Sequence, residues 1–186
     1  MKTTIIYGHP YDKSFNKAIL NEVLQCVGGD CILIDLIKDG FNPVMSEEDL
    51  RLYSEGRSND PLVIRYNQIL DNTERAIFIF PVWWYDMPAV MRGFMDKVHL
   101  RGSAYGDTPA GVGPLRNIKT YLFTTSNATN DNLKDKFGDP IPGTLIAATL
   151  RGCGYTDAEW YNMEDISHST EAQRKEFLAK IKDILA

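Results

Sequence analysis

Five short runs rich in apolar and β-branched residues, each set off by segments of helical periodicity, constrain this chain more than any other feature. That alternation is the pattern of an α/β fold built on a parallel sheet. The runs are Thr3-Thr4-Ile5-Ile6-Tyr7, ended by Gly8; Ile32-Leu33-Ile34-Asp35-Leu36; Ala76-Ile77-Phe78-Ile79-Phe80; Lys119-Thr120-Tyr121-Leu122-Phe123-Thr124; and a fifth between Tyr155 and Met163. The third is apolar throughout, as suits a central strand covered on both faces. Between them, Phe15, Ala18, Ile19 and Val23 share one helical face, and Gly28-Gly29 stops that helix. Met87, Val90, Met91, Phe94, Met95 and Val98 fall at helical spacing, with Pro88 in the first turn, where proline is tolerated.

Short helices are expected over 46–55 and 61–71, and helical segments near 131–137 and 143–151. The last helix starts near Ser169 or Thr170, where Thr170 and Gln173 form a capping-box pattern and Phe177, Leu178, Ile181 and Leu185 face inward. Residues 102–114 hold four glycines and two prolines and read as a long loop, a feature often functional in a compact domain. No repeat, low-complexity tract or linker divides the chain, so residues 1–186 read as one domain. Five strands with interleaved helices fit a flavodoxin-like three-layer sandwich, its parallel sheet in the order 2-1-3-4-5. A ligand is then expected at the carboxyl ends of strands one and three, where the order reverses.

Those strand ends carry the least ordinary residues. Gly8-His9-Pro10-Tyr11-Asp12-Lys13-Ser14-Phe15-Asn16 leads from the first strand into the first helix. Free N–H groups at a helix N-terminus bind anions. Ser14 and Asn16 add donors, and Lys13 or His9 could add positive charge, so a phosphate suits this loop. It is neither a Walker A loop nor GxGxxG. The plainer reading makes Ser14 an N-cap and His9 a solvated loop residue.

Pro81-Val82-Trp83-Trp84-Tyr85-Asp86-Met87-Pro88 follows the third strand. Two prolines stiffen it. Indole N–H and phenol O–H groups need partners, so core strands seldom end in Trp-Trp-Tyr, and a flat apolar slot suits a planar heterocycle. The alternative is packing in the core or a dimer interface. Thr124-Thr125-Ser126-Asn127-Ala128-Thr129-Asn130 adds hydroxyls and amides at the same sheet edge.

On these segments the chain resembles the flavodoxin-like NAD(P)H:quinone oxidoreductases. That family includes DT-diaphorase and the small bacterial quinone, azo and potassium-efflux-associated flavoreductases. Gly8-His9-Pro10 with Ser14-Phe15-Asn16 is similar to its phosphate loop. Phe80 to Tyr85, with Pro88-Ala89 and Gly93-Phe94, is similar to its flavin-ring segment, and Gly102-Ser103-Ala104-Tyr105 to its active-site stretch. The resemblance covers nearly the whole chain.

It implies a bound flavin, FMN or alternatively FAD, with NADPH or NADH as donor and a quinone or other small aromatic acceptor. Ser14, Phe15 and Asn16, with His9 in the same loop, would hold the phosphate. Pro81, Val82, Trp83, Trp84 and Tyr85 would line the ring, and Thr124, Thr125, Ser126 and Asn127 would lie on its pyrimidine side. Tyr105 is the catalytic candidate, placed in the acceptor pocket. Hydride would pass to the flavin and then to the acceptor by a ping-pong cycle, in a homodimer with the site at its interface. The chain departs from the family where Ser126-Asn127 replaces a glycine pair, and the tyrosine and histidine that usually follow are not evident. The rival readings are a flavin-binding regulatory subunit of a potassium-efflux or other membrane transporter, and an electron-carrier flavodoxin.

Charge and composition narrow the partners. Lys and Arg number 20 against 25 Asp and Glu, a formal charge of −5, which disfavours nucleic acid and anionic membranes. The most apolar run, ten residues long and broken by Pro81, is half of the ~20 needed to span a bilayer. No signal-peptide core follows Met1. The three cysteines show no CxxC spacing, so no metal is expected and a reducing cytoplasm is. His99 ends a helix, where a cation suits the dipole, and His168 reads as a surface residue.

Overall fold

The computed structural model describes residues 1–29 and 31–186. Five parallel strands form the central sheet: β1 (Thr3–Tyr7), β2 (Cys31–Asp35), β3 (Arg75–Pro81), β6 (Ile118–Thr125) and β7 (Tyr155–Met163). They lie in the order β2-β1-β3-β6-β7, which is the expected 2-1-3-4-5 counted over the core strands. Alternation within each strand sends side chains to two cores. Ile6, Phe78, Phe80 and Leu122 pack on one face against α3 (Pro61–Leu70) and α4 (Ala89–Val98). Ile5, Tyr7, Ile77, Ile79 and Phe123 pack on the other against α1 (Phe15–Val27) and α6 (Glu171–Leu185). The three layers follow from that division.

Helix boundaries follow local chemistry. Ser14 caps α1, Asp60 caps α3 ahead of Pro61, and Thr170 with Gln173 forms a full capping box on α6. A short α2 (Glu47–Tyr53) starts at Ser46, whose capping box with Asp49 is also complete. The α4 helix begins at Ala89, with Pro88 as the residue before its first turn rather than in it. Gly93 is required there, because a Cβ would stand 2.3 Å from Pro43 Cβ and 2.4 Å from Pro43 O.

Three expectations need correction. Residues 102–114 are not an irregular loop: β4 (Tyr105–Thr108) pairs antiparallel with β5 (Gly111–Pro114) as a separate hairpin. Its strands are four residues each and mostly exposed, so no apolar alternation marks them. The helix near 143–151 begins earlier and is a π-helix over Pro140–Leu150, following α5 (Asn130–Phe137). His99 is not a helix-end cation. It is 1% exposed, its Nδ1 lies 3.0 Å from Met95 O and its Nε2 2.9 Å from the Tyr155 hydroxyl. Burial, with the Arg116 cation nearby, pushes its pKa down to about 3, so the ring is neutral.

Among the described residues no helix is long and apolar enough to cross a membrane, and no group of three His, Cys, Asp or Glu side chains is placed to hold a metal ion.

Candidate functional site

The segments after β1, β3 and β6 are tied to one another at the carboxyl edge of the sheet. Gly8 N–H donates to Ile79 O at 3.2 Å, Val82 N–H to Thr125 O at 2.7 Å, and Ser126 N–H to Met163 O at 3.1 Å. Asn16 Nδ2 donates to Thr125 Oγ1 at 2.8 Å. Gly8 permits close packing here, since a Cβ would come within 2.4 Å of Met91 Cγ.

The first segment presents a helix N-terminus. Ser14 Oγ accepts from Lys17 N–H at 3.1 Å, and Ser14 N–H is satisfied by Tyr11 O. The N–H groups of Phe15 and Asn16, in the first turn of α1, have no acceptor among the described residues. Free first-turn amides aimed out of a long helix suit an anion. His9 contributes no charge to it. Its Nδ1 accepts from Tyr11 N–H at 3.0 Å, and burial lowers its pKa from the usual histidine value, leaving the ring neutral at pH 7. The Asn16 side chain is 2% exposed and turned inward, with Oδ1 unpartnered. Phe15 packs on Phe177 at 6.0 Å.

The second segment is a strained aromatic turn. Trp83 N–H donates to Asp86 O at 2.9 Å and Asp86 N–H to Trp83 O at 3.1 Å, closing a two-residue reverse turn. Its central residues, Trp84 (φ 50) and Tyr85 (φ 67), are both left-handed. Positions of that kind belong by preference to Asn and Gly, and bulky side chains there cost about 1–3 kcal/mol each. Trp84 stands 93% exposed. Tyr85 is instead stacked on Phe137, ring centroids 4.1 Å apart and planes 26° apart. Trp83 meets the His9 ring edge-on at 6.1 Å. Pro81 is buried at the end of β3 and Val82 half-buried beside it.

Opposite this turn, residues 126–128 complete an open cleft of about 520 Å³, with Leu133 as its remaining wall. Asn162 on β7 organises that side. Its Oδ1 accepts from Thr124 Oγ1, and its Nδ2 donates to Ser126 Oγ and Asn130 Oδ1, all at 2.8 Å. Trp160 Nε1 donates to Thr124 Oγ1 at 2.8 Å. The Thr124 side chain is therefore committed within the sheet, while Thr125 Oγ1 is tied to Asn16 on α1. Ser126 Oγ donates to Ala128 O at 2.6 Å, and Asn127 Oδ1 accepts from the Ser167 hydroxyl.

The structure thus brings Val82, Trp83, Trp84, Tyr85, Ser126 and Asn127 together around one cleft. His9, Ser14, Phe15 and Asn16 lie on the neighbouring segment. Tyr105 is not among the lining residues; it sits in β4 with its ring 6.4 Å from Tyr53. Phe137, Leu133 and Asn162 were not anticipated from the sequence. A phenylalanine left on the last turn of a charged helix, ahead of the left-handed cap Gly138, was the one signal for Phe137. Asn162 carries none, being a lone amide in an edge strand.

A family model described as "Flavodoxin-like fold" matches residues 1–185. A Haemophilus influenzae protein named "Uncharacterized NAD(P)H oxidoreductase" is 29% identical over 182 residues, covering 94% of this chain and 89% of its own. The Rattus norvegicus NAD(P)H dehydrogenase (quinone) 1 is 27% identical over 202 residues, covering 95% of this chain and 73% of its own. A crystal structure of Smu.1420 from Streptococcus mutans aligns with TM-score 0.82 at 25% identity, covering 100% and 98% of the two chains. An NAD(P)H:quinone oxidoreductase from Methanothermobacter marburgensis aligns at TM-score 0.86 and 21% identity, covering 100% of this chain and 97% of that one, a likeness of fold.

Proposed function

This chain belongs to the flavodoxin-like fold family, and we propose that it is a flavin-dependent NAD(P)H oxidoreductase acting on quinone-like acceptors. The observation that carries the reading is an open, aromatic-walled cleft between the segments after β3 and β6, with free first-turn amides on the neighbouring segment after β1 at the same sheet edge. The relatives reported above carry oxidoreductase names, which supports turnover over a transporter-subunit role. A flavin fits the donor set: the unpartnered Phe15 and Asn16 N–H groups and Ser14 suit its phosphate, and residues 82–85 offer the flat apolar wall that a planar ring needs.

The chemistry such a group supplies when bound is hydride transfer in from a nicotinamide nucleotide and out to a quinone. The chain's own residues do the remainder. The amides of α1 neutralise phosphate charge through the helix dipole. The two hydrogen bonds between Trp83 and Asp86 fix the backbone of the turn, and the stack on Phe137 fixes the Tyr85 ring before anything binds. The Asn162 network fixes residues 126–130, which bound the polar side of the cleft.

FMN is the favoured form, and NADPH or NADH the donor. A homodimer suits the exposed Trp83 and Trp84, with Tyr105 reaching an acceptor pocket from the partner subunit, in a cytoplasmic protein. The test is an anaerobic visible spectrum of the protein with FMN, and in parallel with FAD, before and after NADPH and NADH. Bleaching of the oxidised flavin band, reversed by a quinone, is expected. Flavin binding without bleaching by either nucleotide would move the protein to a carrier or regulatory role.

A further inference from the structure

Tyr85 carries a chemical capacity that cofactor binding leaves unused. Among the described residues that line the cleft, it alone has a side chain able to give up a proton and take one back. Ser126 has its hydroxyl committed to Ala128 O. The indoles of Trp83 and Trp84 are donors only. His9 is not among the lining residues; it meets Trp83 edge-on, with Nδ1 occupied by Tyr11 N–H. The Tyr85 phenol has no hydrogen-bond partner among the described residues, whereas its ring is held twice: by stacking on Phe137 at 4.1 Å and by a left-handed backbone inside a hydrogen-bonded turn. A fixed ring with an uncommitted hydroxyl is a preorganised donor, the arrangement that serves charge developing on a reacting atom.

We propose that Tyr85 is a catalytic residue whose phenol donates a hydrogen bond, and then a proton, to an oxygen of the electron acceptor. The proposal rests on the reductase reading above and sharpens its substrate class to acceptors that end reduction as hydroxyls, quinones foremost. A quinone takes up two electrons and two protons. Both electrons and one proton derive from the hydride of the nicotinamide donor. The oxygen left anionic accepts the second proton from Tyr85, forming the new O–H bond of the hydroquinone as the phenol O–H breaks. The tyrosinate then recovers a proton from water at the open cleft. Donor and product are both aryl hydroxyls, so the proton passes between two groups of the same chemical class. Phe137 is the positioning residue, since it offers the phenol a face and no polar atom.

The test compares two acceptors on the FMN-loaded protein: 1,4-naphthoquinone, which requires protons, and ferricyanide, which takes electrons alone. Tyr85→Phe should lower the ratio of naphthoquinone to ferricyanide turnover at least tenfold, and reduce the solvent deuterium isotope effect on the quinone reaction toward unity. In the absence of any donor, the Kd of oxidised naphthoquinone, read from tryptophan quenching, should rise about five- to tenfold, the loss of one hydrogen bond. Phe137→Leu keeps the hydroxyl but removes the stack, and should give an intermediate fall in the same ratio. If both acceptors slow equally in Tyr85→Phe, or neither slows, the proposal is overturned while the reductase reading stands. If wild-type protein takes up no flavin, or NAD(P)H does not bleach it, both fall.

Discussion

Trp84 and Tyr85 are neighbours with the same backbone strain and opposite packing, so the same substitution at each should change stability in opposite directions. Asparagine is the informative replacement because it tolerates the left-handed region with little penalty. At Trp84 (φ 50) the relief is about 1–2 kcal/mol. Little is lost in exchange: at 93% exposure only roughly 20 Å² of the indole is covered, worth ~0.5 kcal/mol at ~25 cal/mol/Å². Trp84→Asn should therefore stabilise by about 1 kcal/mol, raising the melting temperature by roughly 2–4 °C in a chain of this size. At Tyr85 (φ 67) the same relief meets a larger loss. The ring is 39% exposed, so roughly 120 Å² is covered, worth ~3 kcal/mol, and the stack on Phe137 adds ~1 kcal/mol. Tyr85→Asn should destabilise by about 2–3 kcal/mol after the ~1–2 kcal/mol of relief is subtracted.

Urea unfolding of the flavin-free protein, followed by far-ultraviolet circular dichroism, reads both values without ligand linkage. A destabilised Trp84→Asn would refute the strain argument, and a shift of the same sign in both variants would refute the partition between strain and packing. The stabilised Trp84→Asn variant should also bind FMN more weakly, because it exchanges a preset aromatic wall for a small amide.

Three further outcomes follow from the frame. His99 is neutral in the fold with its pKa near 3, whereas an unfolded histidine titrates near ~6.5, so the unfolded chain binds more protons between those values. Its contribution is complete above pH ~6.5 and is lost as pH falls toward 3; between pH 6.5 and 5 the wild type should lose about 1.5 kcal/mol more than His99→Gln, measured by urea unfolding at each pH. Gly93→Ala would drive a Cβ to 2.4 Å from the Pro43 backbone and should cost about 2–3 kcal/mol, read as a lower melting temperature. Asn162→Ala would release Thr124, Ser126 and Asn130 together, and should raise the FMN Kd about fivefold in a fluorescence titration.

The central sheet was legible because parallel strands covered on both faces must be apolar at nearly every position, and Ala76 to Phe80 satisfy that rule without exception. Two caps were legible for a similar reason: Ser14 and Thr170 stand where an exposed N–H must find a side chain. The hairpin over residues 105–114 was not, because its pairing is four residues long and faces solvent, so glycine and proline content spoke louder than any alternation. His99 was misjudged on chain position alone; burial against Phe94 and Tyr155 decided its charge state, and burial is a tertiary property. At the site, the aromatic run announced a flat wall, but its clamp on Phe137 is a contact across fifty-two residues of chain that no local pattern encodes.

The surrounding sheet sustains the strain of the left-handed turn. Left-handed tryptophan and tyrosine would not persist in an isolated peptide, where each costs about 1–3 kcal/mol and nothing opposes the loss. Here β3 is held on one side by β1 and on the other by β6, so Pro81 is fixed at one end of the turn. Val82 is bonded to Thr125, and Met87 and Met91 are buried at the other end. The ends being fixed, the two hydrogen bonds between Trp83 and Asp86 favour a left-handed turn, because a right-handed type I turn would splay the paired ends. The cost is met by the sheet and not by a ligand. It follows that the wall exists before binding, and a planar ring entering the cleft orders no loop on arrival, which spares the entropic penalty that weakens association with mobile sites.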